Sequence, residues 1–250
     1  MSEQSPVLPI LERGAAALGL QLHPDQLRCF ALLSQELISW NQRVNLTSVT
    51  NPDDVQLRHF VDSLTIVPVV QGELSSGSGR LIDVGSGAGL PGLAVAIALP
   101  WLDVALLEAT AKKVRFLEHA VETLRARNAR VLHGRAESLA RQAEHREAYD
   151  VAVARAVGST ATLVELLTPF LTVGGIAVLM TTRAALDAEL DRAAGALEKL
   201  HADVEAVRGT HVAGLDNHAL LLIRKHGSTP TEFPRRPGVP ERHPLAATGS

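Results

Sequence analysis

Residues 80–99 read RLIDVGSGAGLPGLAVAIAL. The apolar residues from Leu81 to Val84 predict a buried strand, and residues 93–99 predict a buried helix. Between them, the glycines at positions 85, 87, 89 and 92 allow the backbone to turn sharply and to come close to a ligand. The first turn of such a helix offers unpaired N–H groups to a carboxylate or a phosphate. The sequence therefore predicts a strand, a ligand-binding turn and a helix.

Glu108 indicates that the ligand at this turn carries a nucleoside. It ends a second apolar stretch, residues 104–107. Glu108 lies about twenty residues after the glycine-rich turn, at the position where a carboxylate can accept hydrogen bonds from both hydroxyls of a ribose. The pattern G-x-G-x-x-G in residues 87–92 also fits a dinucleotide, so an NAD-dependent oxidoreductase is one interpretation.

Asp83 favours a different cofactor. An acidic side chain inside an apolar strand costs free energy unless it has a partner, and a cationic amino-acid group would supply one. S-adenosylmethionine carries an ammonium group for Asp83, a carboxylate for the amides around Gly85 and Gly87, and a ribose for Glu108. The alternative is that Asp83 only braces the turn. We expect S-adenosylmethionine as the cofactor.

The composition excludes several classes of protein. The chain has 250 residues, 46% of them hydrophobic, which is enough for a sizeable core. Its one cysteine, Cys29, excludes an internal disulfide framework, and its ten histidines show no close metal-type pairing, so we expect no metal. The absence of a secretory signal and of a long apolar run predicts a cytoplasmic protein without membrane contact. A net charge of −3 argues against a diffusely basic nucleic-acid binder, so an RNA site would be a local patch.

Three segments are expected along the chain. Residues 1–72 show helical periodicity and predict an N-terminal helical cap, with one helix beginning at residues 51–54. Residues 73–226 alternate strands with helices and predict a doubly wound, Rossmann-like α/β sheet with an antiparallel last strand. Residues 227–250 form a tail rich in Pro and Arg, either a disordered end or an ordered basic arm over the substrate groove. The later elements are predicted as helices at 111–127, 160–171 and 184–200 and strands at 129–132, 149–154, 176–180, 204–208 and 219–223.

Several longer strings resemble those of one enzyme family. They are WNQRVNLTSV from Trp40, LRHFVDSL from Leu57, DVGSGAGLPG from Asp83, KKVRFLEHAVETL from Lys112, GRAESL from Gly134, ARAV from Ala154 and FPRRPGVPERHPL from Phe233. On these strings nearly the whole chain resembles the RsmG (GidB) family of bacterial small-subunit rRNA guanine-N7 methyltransferases. The resemblance implies a class I S-adenosylmethionine-dependent methyltransferase fold with a helical cap. It also implies methyl transfer to N7 of a guanine in a loop of 16S rRNA near the decoding centre.

The resemblance further implies roles for residues on the cofactor side. Gly85 and Leu90 would line the methionine and ribose side, and Glu108 would hold the ribose. Ala136 and Glu137 would meet the adenine.

Arg155 is the expected catalytic residue. By the resemblance it would complete the cofactor pocket near the methyl group, whereas a structural ion pair is the alternative for an arginine at a strand end. His59 and Asp62, one helical turn apart, would either contact RNA or tie the cap to the core.

A group of basic side chains forms the expected RNA-binding surface: Lys112, Lys113, Arg115, Arg135, Arg235 and Arg236. For the part between residues 112 and 135, a solvated helix face is the alternative. In many relatives the fifth strand is followed by Leu-Lys-Gly, whereas here Met180-Thr181-Thr182 precedes Arg183. A basic contact to the substrate has therefore moved to Arg183 or been lost.

Residue types that are missing support the same chemistry. Guanine N7 has a free lone pair, so its methylation needs no base, and positioning accounts for most of the catalysis. Methylation of an exocyclic amine commonly goes with an Asn/Asp-Pro-Pro-aromatic turn after the fourth strand, but residues 154–157 read ARAV. Methylation at carbon 5 of cytosine needs a cysteine nucleophile there, and Cys29 lies in the cap.

We expect a monomer whose partner is 16S rRNA or the small ribosomal subunit. A non-catalytic RNA-binding module is the other interpretation.

Overall fold

The computed structural model describes residues 8–155 and 158–245 and contains one seven-stranded sheet within them. The strands run in the order β3-β2-β1-β4-β5-β7-β6, with β1 to β5 paired in parallel and β7 antiparallel to both β5 and β6. The predicted doubly wound sheet with an antiparallel last strand is therefore confirmed. The strands are β1 (Arg80–Val84), β2 (Asp103–Glu108), β3 (Ala129–His133), β4 (Tyr149–Arg155), β5 (Leu171–Thr182), β6 (Ala202–Gly209) and β7 (His218–Lys225).

The segment before the sheet is helical in the described residues, as predicted. Asn51 caps α3, because its side-chain oxygen accepts hydrogen bonds from the amides of Asp53 and Asp54. A π-helix, Val55–Val61, joins α3 to α4 in one continuous helical path. The cap helices are α1 (Pro9–Ala17), α2 (Pro24–Val44), α3 (Pro52–Asp54), α4 (Asp62–Leu64) and α5 (Val67–Glu73).

Helices cover both faces of the sheet and bury two hydrophobic cores. One core joins the cap to α6 (Gly92–Ala98), α7 (Ala111–Leu124) and one face of the sheet. The other core contains α9 (Thr160–Leu167), α11 (Ala194–Lys199) and the opposite face, together with residues of the tail. Because the cap shares its core with the sheet, a domain boundary at residues 72 and 73 stays a prediction.

Several predicted helices end earlier than the sequence indicated. The helix expected to reach residue 127 ends at Leu124, and Arg125 closes it in the left-handed conformation with φ 52°. The helix expected to reach residue 171 ends at Leu167, and a 3₁₀ turn then leads into β5. The helix expected at 184–200 is divided into α10 (Arg183–Glu189), a 3₁₀ turn (Asp191–Ala193) and α11. The remaining short helices are α8 (Ala136–Leu139) and α12 (Val239–Arg242).

The tail is ordered from residue 227 to residue 245, so the disordered alternative is wrong for this part, while residues 246–250 lie outside the described chain. Arg141 and Arg146 donate hydrogen bonds to the carbonyls of residues 229–234. Arg235 donates to both carboxylate oxygens of Glu165, whose side chain is completely buried. These charged groups replace the backbone ladder that a proline-rich segment cannot make.

Two absences hold for the part of the chain that the structure describes. None of its helices has the length and apolarity needed to cross a bilayer. Nor does it bring three or more His, Cys, Asp or Glu side chains together in a group that could hold a metal ion.

Candidate active site

The glycine-rich turn follows β1 at the carboxyl edge of the sheet. The amides of Gly85 and Ser86 donate to the carbonyl of Leu107, which ties the turn to β2. Gly87 has φ 57°, a left-handed conformation that favours glycine. A Cβ atom at Gly87 would have only the carbonyl oxygen of Gly85 within 4 Å, at 3.7 Å, so this side of the turn is open. The turn thus presents bare backbone to a ligand.

Asp83 serves as a brace and also keeps one oxygen without a partner. Its Oδ2 accepts a 2.8 Å hydrogen bond from the amide of Gly92, so the bracing interpretation is supported. Its Oδ1 is buried and has no hydrogen-bond partner among the described residues. Burial raises the pKa of Asp83 to about 6, against the opposing effect of the Gly92 amide. A buried acceptor without a partner fits the ammonium group of S-adenosylmethionine.

Glu108 is held in place by backbone amides. Its Oε2 accepts from the amide of Gly87 at 3.0 Å, and its Oε1 accepts from the amide of Thr110 at 2.7 Å. A carboxylate oxygen has two lone pairs, so each oxygen can accept one further bond. The orientation therefore fits the two hydroxyls of a ribose.

A cleft of about 370 Å³ brings together four of the residues expected to bind the cofactor: Gly85, Glu108, Ala136 and Glu137. Lys113 and Arg135, which we expected on the RNA surface, also line this cleft. Leu90 is placed elsewhere, because its side chain is 3% exposed and packs in the core beneath the cap. A larger cavity of about 590 Å³ beneath Pro244 and Leu245 contains none of the expected residues.

The tail forms one wall of this cofactor cleft. The amide of Gly238 donates a 2.7 Å hydrogen bond to Oε1 of Glu137, and Thr162 donates to the carbonyl of Pro240. Glu241, in α12, lines the cleft. This contact was not predictable from the sequence, because the composition of the tail left its order open. The basic arm, one of the two alternatives for the tail, therefore reaches the cofactor side.

Arg155 lies in a neighbouring cavity of about 480 Å³ and not among the residues lining the cofactor cleft. This second cavity is formed by the carboxyl ends of β4 and β5, the beginning of β7 and the cap. Arg155 Nη1 lies 3.2 Å from Oδ2 of Asp62, so the ion pair considered as an alternative is present. Asp62 also lies 2.7 Å from Nδ1 of His218, which ties the cap to the sheet.

His59 lines the second cavity. Burial lowers its pKa, and the positive charge of Arg155 lowers it further. Its Nε2 lies 2.8 Å from Oγ1 of Thr47. Sequence reasoning named His59 and Asp62, but it missed Arg58, Thr47 and His218. The position of His218 at the start of an antiparallel strand was the one available signal, because that end lies beside the carboxyl ends of the parallel strands.

The other basic residues occupy different environments. Lys112, Arg115, Arg183 and Arg236 are exposed, and their RNA contacts stay predictions. Arg235 requires a correction: its guanidinium is committed to Glu165 and to the carbonyl of His243, so its role in the structure is to hold the tail.

The sheet order, the glycine turn after β1 and the acidic residue at the end of β2 together define a class I S-adenosylmethionine-dependent methyltransferase. A solved structure of a mutant of MtNAS in complex with S-adenosylmethionine has the same general fold. Its TM-score is 0.52 with 15% sequence identity, over 88% of this chain and 78% of that chain.

Sequence comparisons give the family. The family model "GidB: rRNA small subunit methyltransferase G" matches residues 26–218. Ribosomal RNA small subunit methyltransferase G of Roseiflexus castenholzii is 42% identical over 94% of this chain and 98% of the relative. The Dehalococcoides mccartyi protein of the same name is 41% identical over 93% of this chain and 97% of the relative. The chain belongs to the rRNA small subunit methyltransferase G (GidB) family, and the oxidoreductase interpretation is wrong.

Proposed function

We propose that this protein transfers a methyl group from S-adenosylmethionine to N7 of a guanine in 16S rRNA. One structural observation carries the proposal: the cofactor cleft and the second cavity open at the same edge of the sheet, after strands that are direct neighbours. β1 and β4 pair in parallel, with Asp83 opposite Val153. The glycine turn after β1 and Arg155 at the end of β4 therefore meet at one edge. A methyl donor in one cavity and an acceptor base in the other would be adjacent.

The residues of the cofactor cleft, together with Asp83 and Gly87 beside it, would hold S-adenosylmethionine by its polar groups; Asp83 and Gly87 are not among the residues that line the cleft. Asp83 Oδ1 would accept from the ammonium group, Glu108 from the ribose, and the amides of the glycine turn would donate to the carboxylate. When bound, this cofactor supplies an electrophilic methyl group.

The second cavity has the chemistry needed to hold a guanine. Guanine presents O6 as an acceptor beside N7, and an arginine is a common donor to this edge. Arg155, 19% exposed at the cavity wall, could donate to O6 and leave the N7 lone pair free. A group that accepts a proton from N7 is not required. The contribution of the chain would therefore be orientation of the two reactants.

The experiment is methyl transfer with a labelled donor. The protein is incubated with small ribosomal subunits or with naked 16S rRNA, and the RNA is then cleaved chemically at 7-methylguanine to locate the product. We expect one labelled guanine, and the two substrates distinguish whether the assembled subunit is needed. RNA that is retained but not labelled, at saturating cofactor, would instead support the non-catalytic RNA-binding module.

We also propose that the protein acts in the cytoplasm and as a monomer. The compartment follows from the proposed substrate, which is a component of bacterial ribosomes. The monomer is tested by sedimentation of the protein with and without RNA, where a dimer in the free protein would contradict it.

A further inference from the structure

Four side chains form a hydrogen-bond network at the wall of the second cavity: His218, Asp62, Thr65 and Arg155. His218 opens β7, and its side chain is 7% exposed. Its Nδ1 lies 2.7 Å from Oδ1 of Asp62, and its Nε2 lies 3.0 Å from Oγ1 of Thr65. The other carboxylate oxygen of Asp62, Oδ2, faces Arg155 at 3.2 Å.

The hydrogen count of this network determines the charge of His218. The hydroxyl of Thr65 donates its single hydrogen to the carbonyl of Asp62, at 2.6 Å. Thr65 Oγ1 can therefore only accept from Nε2 of His218. Nδ1 faces a carboxylate oxygen, which is also an acceptor. With these partners both ring nitrogens are placed to donate, which is the hydrogen-bond arrangement of an imidazolium.

The surrounding charges are compatible with this assignment. Asp62 on α4 lies between His218 on β7 and the guanidinium of Arg155 on β4. From the π-helix, Arg58 pairs with Asp54, and His59 is bonded to Thr47 and keeps a lowered pKa. The two histidines of the second cavity therefore face different partners, a carboxylate at His218 and a hydroxyl at His59.

We propose that His218 is a positioning residue. As an imidazolium it holds Asp62, and through Asp62 it sets the direction of Arg155 at the wall of the second cavity. The charge state stands on hydrogen-bond geometry alone, whereas the effect on catalysis rests on the proposed function. His218 touches neither the cofactor cleft nor the glycine turn. Its loss should thus change turnover and leave cofactor affinity as it is.

The first test measures the charge of the ring without any activity. Nitrogen-15 NMR of labelled histidine side chains at pH 7 separates an imidazolium, with both nitrogens protonated, from a neutral ring. The His218→Gln spectrum assigns the signal. Because an unperturbed histidine titrates near pH 6.5, a free ring would be mostly neutral at this pH. A doubly protonated His218 supports the inference, and a neutral ring overturns it.

The second test compares two variants that keep different halves of the network. His218→Asn leaves an amide donor near the position of Nδ1, which can still reach Asp62. His218→Gln leaves its amide donor near the position of Nε2, which reaches Thr65 and leaves Asp62 without this bond. We expect kcat to fall by about tenfold or more in His218→Gln and by less in His218→Asn. When catalysis depends on orientation, a small displacement of Arg155 lowers the rate of the chemical step. The dissociation constant for S-adenosylhomocysteine should stay within about twofold in both.

The outcomes separate the two proposals. Equal losses of kcat in the two variants, or no loss in either, would overturn the positioning role while wild-type methyl transfer remained. Absence of methyl transfer by the wild-type protein would contradict the proposed function, and the NMR result would still decide the charge of His218. If a variant does not fold, its thermal melt and lost binding of S-adenosylhomocysteine reveal this. Thr65→Val then replaces it: this change removes the partner of Nε2 and leaves Nδ1 bonded to Asp62, so the positioning role predicts a kcat close to that of the wild type, and a tenfold loss would overturn it.

Discussion

The carboxylate of Asp83 has one oxygen bound to the protein and one oxygen without a partner. The bond from the Gly92 amide fixes the direction of the side chain, and burial makes the charged form costly enough to raise its pKa to about 6. A cation beside Oδ1 would remove that cost. An ammonium group at Oδ1 would therefore stabilise the charged form of Asp83, which burial of the side chain disfavours.

We predict that affinity for S-adenosylhomocysteine falls as pH is lowered through about 6. Above this pH the carboxylate of Asp83 is charged and can bind the ammonium group, whereas below it a proton occupies the site and must be displaced. The loss approaches tenfold per pH unit. Calorimetric titrations between pH 5 and pH 8 measure it. Adenosine, which lacks the amino-acid end, is the matched ligand, and its affinity should not follow the same curve.

Gly87→Val should abolish cofactor binding, because a branched side chain on the open side of the turn would occupy the ligand's space. The matched control is Gly77→Val. Gly77 has φ 73° and nothing within 4 Å of an added Cβ, so both changes introduce comparable backbone strain of about 1–2 kcal/mol. The two variants should lose similar thermal stability, and only Gly87→Val should lose binding in calorimetry. Retained affinity in Gly87→Val would contradict the assignment of the turn.

At the scale of elements, contiguous motifs were predictable and contacts between distant segments were not. The turn after β1 and the acid that ends β2 are visible in the sequence because each is a local pattern. The family resemblance placed Arg155 with the cofactor, but Arg155 ends β4 at the second cavity, and its partner Asp62 comes from the cap. No periodicity indicates which cap residue reaches which strand end. The antiparallel direction of β7 was predicted, and it implied that His218 lies at the same edge.

The tail illustrates the same limit. Composition alone left both a disordered end and an ordered arm open, because prolines exclude helix and central strand without specifying contacts. The ordered conformation of the tail depends on Arg141, Arg146 and Glu165, which lie far from the tail in the sequence. A buried glutamate within an apolar helix was the one signal that some cation had to reach it.

We predict that Arg235→Glu destabilises the protein while Arg236→Glu does not. The first change places a second carboxylate against the buried Glu165, and removing one partner of a buried pair costs about 3–5 kcal/mol. Because Arg235 keeps 26% of its side chain exposed, the lower end of this range is expected. Arg236 is exposed and serves as the neighbouring control. Urea denaturation measures both, and equal stabilities would contradict the structural role of Arg235.

At the scale of the whole molecule, the site is assembled where the cap, the sheet and the tail meet. The cofactor side is completed by Glu137 and the tail, and the acceptor side by the cap and three strand ends. The protein has a net charge of −3, so long-range attraction for RNA cannot come from its total charge. We expect it to come from exposed basic residues near this edge, of which Lys112 and Arg115 lie in the first turns of α7.

This charge distribution predicts how RNA binding depends on salt. The double variant Lys112→Glu with Arg115→Glu should weaken binding to 16S rRNA and lower the slope of log K against log salt by about 1.4 to 1.8, since each of the two phosphate contacts contributes about 0.7–0.9. The control is Arg192→Glu with Arg208→Glu, which changes net charge equally at exposed positions on the 3₁₀ turn before α11 and on the outer strand β6. Its slope should equal that of the wild type. If both variants lower the slope alike, total charge and not this surface of α7 would govern RNA binding; filter binding from 50 to 300 mM salt distinguishes the two.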